Sequence, residues 1–471
     1  MSGARGLSTL SLQLTRSRFR SRQGESLLYL ASIFAYVVCS ALALTVAGGT
    51  WMFFNRWQHP TGVLAEMVEA DPTFESVLLF YFVLALIACA LVVPSMVSLA
   101  ASAAVLGARG RERRLATLRL IGLSSGEVTR MSLIDTLIQA ALGSAVGFIV
   151  YWATLPLWHT LTLIALPVEA HEMWLPWWLL AAVLGSTVLI GLAASWWGLR
   201  QVRISPLGVA RRASRPALRA WRLAAFVVVL ALAFVTLTVF PPGRSLLPFL
   251  VMGTVILVVV WGINLVAPWL LQQASRLVAQ APSPSLVWAA RRVQANPRGT
   301  WQRVSGLMLL TLIGGYIAMM PITLNADAGD RAGFFEATLW DFTKGSVIAL
   351  SVGLVLTATS ILITQASAVL ERAEQSRALD RMGAPRGYIS RVTWLETLGP
   401  LVVALAMGTL AGAALALPMS QAAESVGAEA TSGPLVLGAV LAAGIALTVG
   451  ALAATQPLQR QVLAVVERRN D

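Results

Sequence analysis

The chain has 471 residues, 57% of them hydrophobic and 12% charged, with a mean hydropathy of +0.73. That balance excludes a soluble globular domain, and apolar runs of about 20 residues or more recur along the chain, marking a polytopic membrane protein. The formal charge of +13 comes from arginines spread over several loops rather than gathered on one face, which points to membrane topology and anionic headgroups and away from nucleic acid.

The chain opens on an arginine-rich stretch containing Arg5, Arg16, Arg18, Arg20 and Arg22. The apolar run behind it is too long for the h-region of a secretory signal and has no small-residue cleavage site, so the first span is expected to serve as the targeting signal. Within residues 7–19, Leu7, Leu10, Leu12, Leu14 and Phe19 stand among arginines. Either an amphipathic helix on the inner surface or a frayed basic tail fits them.

Ten spans follow, at about residues 27–53, 77–106, 132–155, 174–199, 223–240, 246–271, 301–323, 345–370, 394–417 and 435–454. An even number puts both termini on one side. Arginines crowd the segments after spans two, four and eight and before span seven, while the opposite side carries only Arg56, Arg244, Arg331 and Lys344 against acids such as Glu66, Glu69, Asp71, Asp330 and Asp341. Short loops rich in arginine stay in the cytoplasm, so both termini are expected there, in a multi-pass cell-membrane protein. Cys39 and Cys89 fall within spans and imply no disulfide framework. The tryptophans cluster toward the two boundaries, with Trp57, Trp158, Trp174, Trp177, Trp178 and Trp340 outside and Trp196, Trp197, Trp221 and Trp301 inside, as in aromatic belts.

Residues 118–137, LRLIGLSSGEVTRMSLIDTL, and 379–398, LDRMGAPRGYISRVTWLETL, repeat each other at an offset of 261. Gly122 meets Gly383, Gly126 meets Gly387, Arg130 meets Arg391 and Asp135 meets Glu396. The expected fold is therefore all-α, with about ten transmembrane helices arranged as two parallel four-helix repeats and a two-helix insert. The units are residues 1–213, 214–285 and 286–471. In each repeat a charged helix is expected to stop at a glycine, Gly122 or Gly383, before a new membrane helix begins. In the first copy Ser124 or Ser125 caps that helix with Glu127 in its first turn; in the second, Pro385 suits its first position. Asp135 and Glu396 sit near the inner interface, where Arg130 and Arg391, five residues earlier, can approach them, and a structural ion pair or helix cap is favoured there over a proton relay. Gly143 with Gly147 and Gly408 with Gly412 form GxxxG motifs, read as packing seams.

RERRLATLRLIGLSSGEVTRMSLIDTLIQAALGSAVG resembles the signature segment of the FtsX-like permease family, and ERAEQSRALDRMGAPRGYISRVTWLETLGPLVVALAMG is a looser second copy. RISPLGVARR, residues 203–212, is similar to the usual close of the first unit, and the ten-helix layout is similar to that of fused permeases linked to peptide-antibiotic resistance. Those permeases carry a large extracytoplasmic domain, whereas the outer segments here are each only about 20 residues, too short to build a core. The resemblance implies an ABC transporter membrane subunit of the mechanotransmissive type, in which the repeated segments are coupling helices that dock on a separate ATPase, with two copies expected per chain. Glu112, Arg113, Leu118, Gly122, Gly126 and Arg130, and Glu374, Leu379, Gly383, Gly387 and Arg391, are then the residues that meet the ATPase or brace the turn.

Catalytic chemistry has little to stand on. Lys344 is the single lysine and no GxxxxGK[ST] surrounds it, so ATP and Mg²⁺ are expected on the partner ATPase, with no cofactor in this chain. His59, His159 and His171 lack metal-ligand spacing, so no metal is expected. Gln139, Asn264 and Gln365 are the main polar groups in the spans, which suits a hydrophobic or amphipathic substrate such as a drug, peptide antibiotic, lipid or haem. Two other readings remain open here: a sensing or mechanotransmission module that relays ATPase motion without transport, and an ion-coupled carrier, for which an inverted repeat would be expected.

Overall fold

A chain in hydrocarbon must satisfy its backbone within its own segments, so apolar runs of this length fold as helices. The structure, a computed structural model, describes residues 25–71, 74–109, 124–164, 166–203, 221–239, 246–319, 332–371, 373–424 and 433–464. They form thirteen α-helices: α1 (Glu25–Gln58), α2 (Val63–Ala70), α3 (Phe74–Arg109), α4 (Ser125–Thr154), α5 (Trp177–Arg203), α6 (Trp221–Val239), α7 (Leu246–Val278), α8 (Pro284–Ala295), α9 (Pro297–Ala318), α10 (Ala332–Glu371), α11 (Ala373–Arg381), α12 (Arg386–Glu424) and α13 (Gly433–Ala464). A 3₁₀ turn (Leu155–Thr160) and a hairpin of β1 (Thr162–Leu163) and β2 (Leu166–Pro167) join α4 to α5.

Among the described residues eight helices are long and apolar enough to cross a membrane. The other two expected spans are helical as well, as α6 and α9. The first turns of α9 carry Arg298, Gln302 and Arg303, which dilute its apolar character, yet its later turns, from Leu307 to Leu312, are buried. The protein is thus an all-α polytopic membrane protein, as its composition indicated. At 40 residues α10 is about 60 Å long at 1.5 Å per residue, twice the hydrocarbon thickness, so it runs well beyond the bilayer.

Contacts divide the chain into two compact units, one of residues Met1–Met52, Val92–His159 and Glu169–Ala213, the other of Phe53–Leu91, Thr160–Val168 and Ser214–Asp471. In the first, Gly143 lies against the Ile33 carbonyl and Tyr36, and Gly147 against Val37, Ser40 and Ala41, which brings the backbones of α4 and α1 together. Ser32 donates to the Ala103 carbonyl (2.9 Å) and Thr136 to Ser195 (3.1 Å), polar ties that hold α1 to α3 and α4 to α5.

In the second unit α9 is the central helix, packed on α7, α10, α13 and, most extensively, α12. Its core joins Ile263, Leu307, Met308, Ile361, Leu401 and Ala404. Gly408 lies against Met308, Thr311 and Leu312, and Gly412 against Leu312 and Tyr316. Gly408 stands 261 residues after Gly147, and the three residues it meets stand 271 after those that Gly147 meets. The two GxxxG motifs are therefore one helical turn out of step: the counterpart of Gly147 is Gly408, and that of Gly143 is Ala404.

Helix α2 falls on the apolar-acidic stretch between the first two spans, whose pattern suits an amphipathic turn or two, whereas the hairpin and α8 went unread in the sequence. Helix α8 had a signal, since Ser283-Pro284 is a start and Ser285, Ala289, Ala290 and Val293 form the buried face. Trp301 also departs from its expected place in the inner belt. It is 2% exposed and donates its indole N–H to Asn264 Oδ1 at 2.8 Å. Trp174, Trp177, Trp178, Trp196, Trp197 and Trp221 are exposed, as belt residues are.

Candidate coupling site

Helix α11 is short and polar, AEQSRALDR, and leaves α10 after a gap of one residue. It ends in a Schellman motif: Ala384 N–H donates to the Leu379 carbonyl and Gly383 N–H to that of Asp380, both at 3.0 Å. Gly383 adopts φ +82, the left-handed conformation this closure needs, and nothing lies near where a Cβ would stand. The glycine is thus required for its backbone rather than for space. The residue before it, Met382, is 74% exposed. Pro385 stands one position earlier than expected, its carbonyl accepting the first bond of α12 from Tyr388 N–H at 2.9 Å.

Nearly three turns into α12 lies Glu396, its side chain 2% exposed. One carboxylate oxygen faces Arg303 Nη1 of α9 at 3.3 Å and the other Arg292 Nη1 of α8 at 3.5 Å. Removing a carboxylate from water is costly, and two guanidinium groups offset that cost here. Arg292 also lies over the Trp288 ring, 4.6 Å from its centroid, and Trp288 stacks on Tyr388 in the first turn of α12. Beside them Gln365 of α10 donates to Thr397 Oγ1 at 3.1 Å. Arg292, Arg303, Gln365, Glu396 and Thr397, with Ser376 of α11, line a cleft of about 20 Å³, room for about one water. The first three turns of α12, which follow α11 after its cap, are therefore fastened to α8, α9 and α10.

Arg391 is exposed and is not the partner of Glu396. Five residues of α-helix turn through about 500°, which leaves the pair about 140° apart around the axis. Arg130 is exposed and Asp135 buried in the same way. Arg292 and Arg303 were legible only as inner-side charge. Gly387 lies exposed at the start of α12, Leu379 is half-buried, and Glu374 falls on α11.

In the first copy α4 starts at a full capping box. Ser124 Oγ accepts from Glu127 N–H at 3.3 Å and Glu127 Oε2 accepts from Ser124 N–H at 2.9 Å, so Ser124 rather than Ser125 is the cap. Gly126 lies in that first turn, exposed. Glu112, Arg113, Leu118 and Gly122 lie outside the described residues, as do residues 7–19 and most of 203–212. The three histidines are exposed, and His171 pairs with Glu169 at 2.9 Å.

No curated protein and no solved structure matches the chain. The family model described as FtsX-like permease C-terminal matches it twice, over residues 86–207 and 347–461, together half of the chain. Each match takes in three long helices and one copy of the repeated segment: α3, α4 and α5 in the first, α10, α12 and α13 in the second. Glu396 and Gly383 lie inside a match, Arg292 and Arg303 outside. Matched at both copies, the chain belongs to the FtsX-like permease family.

Proposed function

We propose that this permease couples ATP hydrolysis by a separate ATPase to the export or extraction of a hydrophobic or amphipathic compound, such as a drug, peptide antibiotic, lipid or haem. Membership of the family makes the chain the membrane subunit of an ABC transporter, a transport component of a kind that pairs with an ABC ATPase. The finer reading adds two ATPase copies, one under each repeat, with ATP and Mg²⁺ held by them. The observation that carries it is α11: a short polar helix capped by a left-handed glycine, presenting Met382 and followed by α12, whose Tyr388 and Glu396 tie it to α8 and α9. A helix fixed in that way passes a push from below to the spans as a lever. The apolar character of those spans supports an amphipathic substrate over an ion or sugar.

The test is ATP turnover by the permease with its cognate ATPase in lipid nanodiscs, across a panel of amphipathic compounds. Turnover is expected to rise with one compound class. Gly383→Ala is expected to uncouple that rise, because a Cβ costs about 1–2 kcal/mol in the left-handed region, while Gly383→Asn, which adopts it readily, is expected to retain it. Equal stimulation of all three proteins would count against the lever. Turnover that answers to no compound but to a membrane partner would favour a sensing module.

A further inference from the structure

The end of α10 far from α11 holds a second buried carboxylate, Asp341, whose role the coupling site does not explain. Its side chain is 4% exposed. Oδ2 accepts from Tyr81 Oη of α3 at 3.1 Å and from the Ile164 N–H of the hairpin, and Oδ1 faces Lys344 Nζ at 3.1 Å. The same ammonium donates to the Thr162 carbonyl at 2.7 Å and to Thr162 Oγ1 at 3.1 Å. From α1, Arg56, 4% exposed, donates to the carbonyls of Leu163 (3.0 Å) and Pro167 (3.2 Å).

A hairpin with two residues in each strand has no stability of its own. This one also places Ile164 at φ +59, a strained conformation for a β-branched residue. It persists because Asp341 takes the Ile164 N–H and because the Ile164 side chain is buried with Leu64, Phe74, Leu78 and Tyr81. Its strain is thus held by groups that lie on separate helices, and a shift of those helices would release it.

We infer that the hairpin is a clasp that fastens the outer ends of α1, α3 and α10 and opens when α10 shifts during the ATPase cycle. Helix α10 connects the two ends of the device. It runs without interruption from the clasp at Asp341 to Glu371, about 45 Å at 1.5 Å per residue, and α11 begins two residues later. A push on α11 therefore reaches Asp341 through one rigid element. The clasp's contacts converge on Asp341 and Lys344, one turn apart on α10, so a small shift of that helix breaks them together. The inference rests on the transporter reading for the source of the motion.

Lys344 is the chain's single lysine and so reports on the clasp by itself. The experiment is timed labelling of the permease–ATPase complex in nanodiscs with a membrane-impermeant amine-reactive ester, quantified on the Lys344 peptide, without nucleotide and with ATP and vanadate. ATP turnover is measured in the same sample, which tests the transporter reading separately. Labelling is expected to quicken several-fold in one of the two states, and Asp341→Asn is expected to make it fast in both. Equal labelling of the native chain in both states, in a complex that turns over ATP, would overturn the clasp.

Discussion

Glu396→Leu is expected to cost the permease about 3–5 kcal/mol of stability, because it removes the buried carboxylate that Arg292 and Arg303, both largely buried, pair with. Adding Arg303→Met to that variant is expected to recover most of the loss, since replacing a buried pair by apolar groups of similar volume is often neutral or stabilising. Arg292 then keeps its place over Trp288, an interaction of about 0.5–2 kcal/mol. The measurement is thermal or denaturant unfolding of the four proteins of the double-mutant cycle in lipid, where residues in contact show coupling energies of about 0.5–3 kcal/mol. A Glu396→Leu protein as stable as the native one would mean that the carboxylate does not balance the arginines.

Gly412→Ala is expected to destabilise by about 1–3 kcal/mol, and Gly408→Ala by a similar amount. A Cβ at 412 meets the Leu312 carbonyl and the Tyr316 nitrogen, backbone atoms that no rotamer change can move, and one at 408 meets the Met308 carbonyl and Thr311. Lipid tails are as apolar as the side chains, so helices in a membrane associate through close packing rather than through exclusion of water. A wedge in this seam separates α9 from α12 along the core of the second unit. Gly438 supplies the opposite sign. It is a glycine of α13 with open space around it, so Gly438→Ala is expected to be neutral or to stabilise by about 0.5–1 kcal/mol. Unfolding of the three variants side by side separates the seam from general helix propensity. Equal effects at all three positions would show that the close approach contributes nothing.

The sequence disclosed what is local or periodic. Apolar runs gave the spans, the glycine of the repeat gave the left-handed stop at Gly383, and the serine with a glutamate three residues on gave the cap of α4. What it hid depends on pairs distant in the chain. Glu396 finds its arginines 93 and 104 residues away, and Asp341 finds Tyr81 at 260 and Ile164 at 177. Nothing in the period of a helix specifies such partners, and the nearest arginine in sequence, Arg391, lies on the wrong side of its own helix. The stagger of the GxxxG motifs was hidden for a related reason. A pattern of two glycines states that a close approach exists, and only the facing helix says which glycine makes it.

The most direct test of the lever is photo-crosslinking from position 382. Met382 is the exposed tip of α11, and Leu435, 77% exposed at the start of α13, is its control. A photoreactive residue at 382 is expected to capture the ATPase subunit in the membrane, and one at 435 to leave it free. An ATPase that turns over with the permease yet is captured from neither position, or equally from both, would contradict the account of α11 as the coupling helix.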